Sequence, residues 1–100
     1  MNHQILTIAD IENIVRPLVE KYHISEVYLF GSYARGEAES DSDLDFFVIG
    51  GDQFKRTRIF AFAEDLREAF DKDVDVFEIH EINQDSAFYQ NILRDRRKVA

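Results

Sequence analysis

The sequence predicts a small α/β (α+β) domain, in which helices pack against a mixed sheet of three or four strands. Three observations carry this. Apolar residues recur at helical spacing in residues 8–22 and again in 59–70. Three short runs rich in β-branched and aromatic residues occupy 26–30, 44–49 and 73–79. The two kinds of segment alternate, in the order α-β-α-β-α-β-α once a short helix is allowed in "SYARG".

Each element has its own local signal. Ile8, Ile11, Ile14, Val15, Leu18, Val19 and Tyr22 form the first stripe, with Thr7 as N-cap and Asp10 three residues on. Pro17 inside this stripe predicts a kink or a break. "EVYLF" (26–30) reads as a buried strand ended by Gly31, and "LDFFVI" (44–49) as another stopped by Gly50 and Gly51. The Phe-rich segment 54–70 reads as a core helix whose stripe is Ile59, Phe62, Ala63, Leu66, Ala69 and Phe70. "DVDVFEI" (73–79) is the third strand. A last helix starts near Ser86, a good N-cap, with Phe88, Ile92 and Leu93 facing inward.

One hundred residues, 45% of them apolar and nine of them Phe, suffice for one domain spanning 1–100 around a single core. Without cysteine there are no disulfides and no thiolate metal site. The N-terminus lacks a secretory pattern and no apolar run is long enough to span a bilayer, so a cytoplasmic chain without membrane contact is expected. The net charge of −8 argues against stable nucleic-acid binding. It does not exclude a nucleotide, because divalent cations reverse the local sign. The basic clusters "FKRTR" (54–58) and "RDRRK" (94–98) read as a solvated helix face and a frayed tail. His3, His23 and His80 fit no ligand spacing.

The chemistry concentrates in "LFGSYARGEAESDSDLDFFVIG", residues 29–50. Residues two apart on a strand share a face, roughly 6.6 Å apart along it. Asp43 and Asp45 therefore present two carboxylates to one small volume, at the entrance of an apolar strand where unpaired charge is costly. Such a pair suits two divalent cations about 4 Å apart, as in two-metal phosphoryl transfer. Hard oxygen donors point to Mg2+ or Mn2+. Asp41 belongs to the preceding loop. Gly31 and Ser32 end a strand where a short helix would offer free N–H groups and a hydroxyl to an anion. Together they give the pattern G-S-x(10)-D-x-D.

This stretch resembles the signature of the DNA polymerase β-type nucleotidyltransferase superfamily. At this length the chain is similar to its minimal nucleotidyltransferases, the antitoxin-type partners of HEPN-domain toxins. The resemblance implies a polymerase β-like fold and a third carboxylate from the strand after the next helix. Asp75, bracketed by Val74 and Val76, is the candidate, and Asp73 the alternative; Asp71 and Asp73 lie in the turn before it. It further implies that Asp43, Asp45 and Asp75 are catalytic and hold two Mg2+ ions, with Gly31 and Ser32 cradling the β- and γ-phosphates of ATP. Arg35 either touches phosphate or ion-pairs with Glu37 or Asp43. The implied activity is transfer of AMP from ATP to a hydroxyl, a tyrosine of a HEPN toxin in a hetero-oligomer. Two other readings remain at this stage: an antitoxin acting by binding alone, and an enzyme using a small-molecule acceptor with a partner chain.

Overall fold

A computed structural model describes residues 3–100. Thr7 opens α1 (Ile8–Tyr22): its hydroxyl accepts from the Asp10 N–H, and Asp10 accepts in turn from the Thr7 N–H. The capping box is complete. Pro17 does not break the helix, which runs through it. Pro17 and Asn13 both lie on the exposed face, so the Asn13 carbonyl that Pro17 cannot pair is open to water. His23 ends the helix in a left-handed cap, φ 56°, with its N–H directed to the Val19 and Glu20 carbonyls.

The next elements follow the sequence reading: β1 (Glu26–Phe30), α2 (Ser32–Arg35) and β2 (Leu44–Ile49). A 3-10 turn over Arg56–Arg58 then leads into α3 (Ile59–Phe70), and α3 into β3 (Val74–Glu78). Asp71 caps α3 in the left-handed region, φ 53°, which gives this turn carboxylate a structural place. After a second 3-10 turn, Ile79–Glu81, the Ser86 hydroxyl accepts from the Tyr89 N–H and starts α4 (Ala87–Asp95). A two-residue strand, β4 (Arg97–Lys98), closes the described chain.

The sheet is mixed, in the order β3-β2-β1-β4. β1 runs antiparallel to β2 and β4, and β2 parallel to β3 with α3 as the crossover between them. Alternation sorts the side chains onto two faces. Val27, Leu29, Leu44, Phe46, Val48 and Val74 pack with Ile11 and Val15 of α1 and Phe62, Leu66 and Phe70 of α3. On the other face Phe30 and Phe47 cluster with Ile82 and Ile92, edged by Tyr28, Phe77, Ile79 and Tyr89. That second face is covered only in part, chiefly by α4. Between the two helices of the first face, Tyr22 donates to Asp65 at 2.5 Å and Lys21 bonds the same carboxylate at 2.9 Å.

Several details depart from the sequence reading. Helix does not extend back to residue 54, and Phe60 is 78% exposed, because it falls off the stripe set by Ile59, Phe62, Ala63, Leu66 and Phe70. Ala69 is exposed as well. The third strand is trimmed at both ends, and the Glu78 carboxylate turns the chain by accepting from the His80 N–H at 2.7 Å. Phe88 is 44% exposed instead of inward. Within the expected frayed tail, Arg97 and Lys98 pair with Leu29 and Tyr28, and Val99 is buried.

The core beneath the site is tight. Phe46 is fully buried and stacks on Phe70 with ring centroids 6.2 Å apart. Phe46→Ala is expected to cost about 3–5 kcal/mol, read as a lower urea midpoint at unchanged slope.

Candidate active site

Strand register builds the site. Phe30 at the end of β1 lies opposite Asp45 of β2, and Asp45 lies beside Asp75 of β3. Two carboxylates thirty residues apart in sequence thus become lateral neighbours, and Gly31 follows at the same end of the sheet. The chain turns sharply there: Gly31 has φ 76° and ψ −157°, a region essentially confined to glycine. A Cβ at this position would lie 2.6 Å from Oδ2 of Asp45, so only glycine lets the backbone pass the carboxylate.

Asp45 and Asp75 open into a cavity of about 370 Å3. Gly31, Arg35 and Asp95 line its polar part, and Phe30, Phe77, Phe88 and Ile92 its aromatic and apolar part. Asp43 is exposed on the residue before β2 and lies outside this lining. It is still close enough for its charge to be felt at Asp45. Ser32 begins α2 next to Gly31, half-buried and also outside the lining. Asp73 lies before β3, where its carbonyl accepts from the Leu44 N–H, while Asp75 is the strand residue that enters the cavity.

Loop geometry sets the spacing of the motif. The Ser42 hydroxyl accepts from the Glu39 N–H at 2.8 Å, and buried Lys72 donates to the Ser40 carbonyl at 3.0 Å. These contacts tie the 36–43 loop to the start of β3, so Asp43 and Asp45 reach the sheet beside Asp75.

The electrostatics are unbalanced. Burial, then the negative charge of Asp75, then that of Asp43, push the Asp45 carboxyl up to about 6, with the Arg35 guanidinium opposing them. Among the described residues no hydrogen bond or ion pair reaches the carboxylates of Asp43, Asp45 or Asp75. No three such groups close around a single point either. What the chain presents is therefore an open set of hard oxygen donors, mutually repelling and without protein partners. That donor set fits divalent cations of the Mg2+ or Mn2+ kind, whose remaining positions water and phosphate oxygens fill.

Arg35 bears out the internal ion pair to Glu37 expected from sequence and adds a second partner, Asp95. Its Nε donates to Glu37 at 3.1 Å and its Nη1 to Asp95 at 2.7 Å, and no bond to Asp43 forms. On the α4 wall the sequence reading names Phe88 and Ile92 but neither Asn91 nor Asp95. A signal was available: Phe88, Asn91, Ile92 and Asp95 follow i, i+3, i+4, i+7 spacing and so share one helix face. Phe77 could likewise be placed from its parity with Asp75.

Fold and site together define a nucleotidyltransferase: a mixed sheet presents strand-borne carboxylates beside a Gly-Ser turn. The chain belongs to the polymerase beta nucleotidyltransferase family, whose model matches residues 12–100. The likeness read from the G-S-x(10)-D-x-D stretch is thereby borne out over most of the chain. Among curated relatives, it is 45% identical over 47 residues to the protein adenylyltransferase MntA of Thermococcus cleftensis. That match covers 43% of this chain and 48% of the relative, so the chain spans about half the relative's length. MJ0435 of Methanocaldococcus jannaschii is 30% identical over 78 residues, covering 78% of this chain and 84% of its own. The fold is similar to a chain in the crystal structure of a toxin-antitoxin with AMP-PNP, at TM-score 0.74 and 25% identity, covering 89% of this chain and 72% of that one.

The raised Asp45 carboxyl has a thermodynamic consequence. Its folded-state pKa lies above its ordinary value near 3.8, so ionising it costs stability. The cost is absent below about pH 4, grows as pH rises, and is fully present above about pH 6. Asp45→Asn should therefore stabilise the cation-free protein at pH 8 by about 1–2 kcal/mol, roughly 5–10 °C in Tm. In EDTA the gain should shrink to nothing by pH 4, which thermal scans across that range will read.

Proposed function

We propose that the chain is a cytoplasmic, Mg2+-dependent nucleotidyltransferase that moves AMP from ATP to a hydroxyl of a partner protein. The observation that carries this reading is the register pair Asp45–Asp75, unpartnered among the described residues and lining one cavity, with Asp45 close against Gly31. Asp43, Asp45 and Asp75 would hold the cations. When bound, they would neutralise phosphate charge and stabilise both attacking and leaving oxygens of an in-line displacement. Gly31 and Ser32 would meet the β- and γ-phosphates with backbone N–H groups and a hydroxyl, and Arg35 would add a guanidinium at the rim. The acceptor hydroxyl oxygen bonds to the α-phosphorus, the bond to the β-phosphate bridging oxygen breaks, and pyrophosphate leaves. Asp75 takes the hydroxyl proton.

The acceptor we favour is a tyrosine of a HEPN toxin, whose adenylylation would silence it. Two similarities support this: a relative named protein adenylyltransferase and a structural neighbour from a toxin-antitoxin complex. The half-open aromatic end of the cavity, Phe30, Phe77 and Phe88, would accommodate a ring brought in by such a partner.

Incubation with α-labelled ATP, Mg2+ and a HEPN toxin as partner tests the reading. Label is expected on that partner, and Asp43→Asn or Asp45→Asn should lower its transfer about a hundredfold or more. Neutralisation of the partner by the Asp43→Asn, Asp45→Asn double variant, with no label moved, would mean that binding alone is the function. Because cations compete with a proton on Asp45, the Mg2+ concentration giving half-maximal transfer should rise as pH falls through about 6.

A further inference from the structure

We propose that Asp95 is a positioning residue of this site: its carboxylate fixes the Arg35 guanidinium at the cavity rim so that the arginine meets a nucleotide phosphate in a preset orientation. The proposal rests on the nucleotide reading above and adds a residue that the motif does not contain.

The two side chains come from α2 and α4, sixty residues apart, and line one cavity. Arg35 Nη1 donates to Asp95 Oδ2 at 2.7 Å, a short charge-assisted bond. The Asp95 side chain is only 7% exposed, against 41% for Arg35, so the carboxylate is sheltered while the guanidinium faces outward. Arg94 adds only a marginal contact to Asp95, at 3.5 Å.

The position of Asp95 makes sense only with its partner. It is the last residue of α4, where the negative end of the helix dipole disfavours an acidic side chain. It also shares the cavity-lining face of α4 with Phe88, Asn91 and Ile92. A carboxylate sheltered there without a cation would be costly, and the Arg35 bond holds its carboxyl below the usual range.

For Arg35 the effect is to fix the fork. Glu37 takes Nε and Asp95 takes Nη1, while Nη2 has no protein acceptor among the described residues. Arginine has five donors in a planar arrangement, so fixing two nitrogens sets where the third points. Two carboxylates on one guanidinium leave no net positive charge. The contribution of Asp95 is therefore geometric, reducing the side-chain freedom lost when phosphate binds.

Calorimetric titration of the full chain with AMP-PNP and Mg2+ tests this, using the wild type, Asp95→Ala, Asp95→Asn, Asp95→Glu, Arg35→Ala and the Arg35→Ala, Asp95→Ala pair. Asp95→Ala should weaken binding about five- to tenfold, Asp95→Asn somewhat less, and Asp95→Glu should recover part of the loss. In the Arg35→Ala background, removing Asp95 should change nothing further, because Asp95 acts through the arginine. In the transfer assay the Asp95 single variants should raise KM for ATP while kcat stays within about threefold. Should Asp95→Ala not fold, Asp95→Asn keeps the shape and decides the matter. Unchanged or tighter binding by the Asp95 variants overturns the proposal, as does a loss that persists undiminished without Arg35. Absence of AMP-PNP binding by the wild type would overturn the nucleotide reading, and this proposal with it.

Discussion

The structure is organised around two carboxylates that the strand register places side by side. Asp45 stands on a central strand, partly shielded from water, with Asp75 beside it and the Gly31 backbone against its oxygen. Left alone, such a pair is unfavourable: burial first, and then the charge of Asp75, push the Asp45 carboxyl upward. The fold has to hold the arrangement by other means, and it does so from the opposite side of the sheet. Leu44 and Phe46, the neighbours of Asp45 in sequence, are fully buried among α1 and α3. Burial of that order, some tens of calories per mole for each Å2 of apolar surface, supports a local charge conflict without loss of the fold. Site and core thus alternate residue by residue along one strand.

The two faces of the sheet are accordingly unequal. One is sealed by two amphipathic helices joined through Tyr22, Lys21 and Asp65. The other carries the stacked pair Tyr28–Phe47, 4.8 Å between centroids, and a T-shaped contact of Phe30 with Phe88. There α4 reaches over the carboxylate end without closing it, and the Arg35–Asp95 bond spans the gap between α2 and α4. Phe88 is half-exposed for this reason. Its ring meets Phe30 and Phe77 edge-on and walls the cavity instead of filling the core.

Elements with local signals were legible in the sequence. The first helix has a capping box and a full stripe, and the first two strands are bounded by glycine, so their limits are recovered. The alternation of Asp43 and Asp45, and the bracketing of Asp75 by valines, singled out three carboxylates, of which the structure brings Asp45 and Asp75 together on one cavity. What sequence could not supply was register. Parity puts Asp43 and Asp45 on one face, but pairing with Phe30 and Asp75 is what puts Asp45, and not Asp43, into the cavity. The same limit hid β4, because nothing in Arg97–Lys98 favours a strand until β1 offers an unpaired edge. Periodicity likewise found the inner face of α4 without showing that nothing covers Phe88. The role of Asp95 depends on an arginine sixty residues away, which no local pattern reports.

Net charge completes the physical picture. A chain carrying −8 repels a triphosphate at long range, so attraction must be local and short-ranged. On the proposed reading, the carboxylates cannot themselves attract the nucleotide; they collect cations, and the cations invert the sign where the phosphates lie. Collecting them would also offset the repulsion between Asp45 and its neighbours, and would release the proton that the carboxyl otherwise retains near pH 6. Cation binding, proton release and nucleotide binding would then be one linked equilibrium. The acidic character of the chain is no obstacle on this account. It would make the site dependent on its cations, and so keep it inactive until nucleotide and metal arrive together.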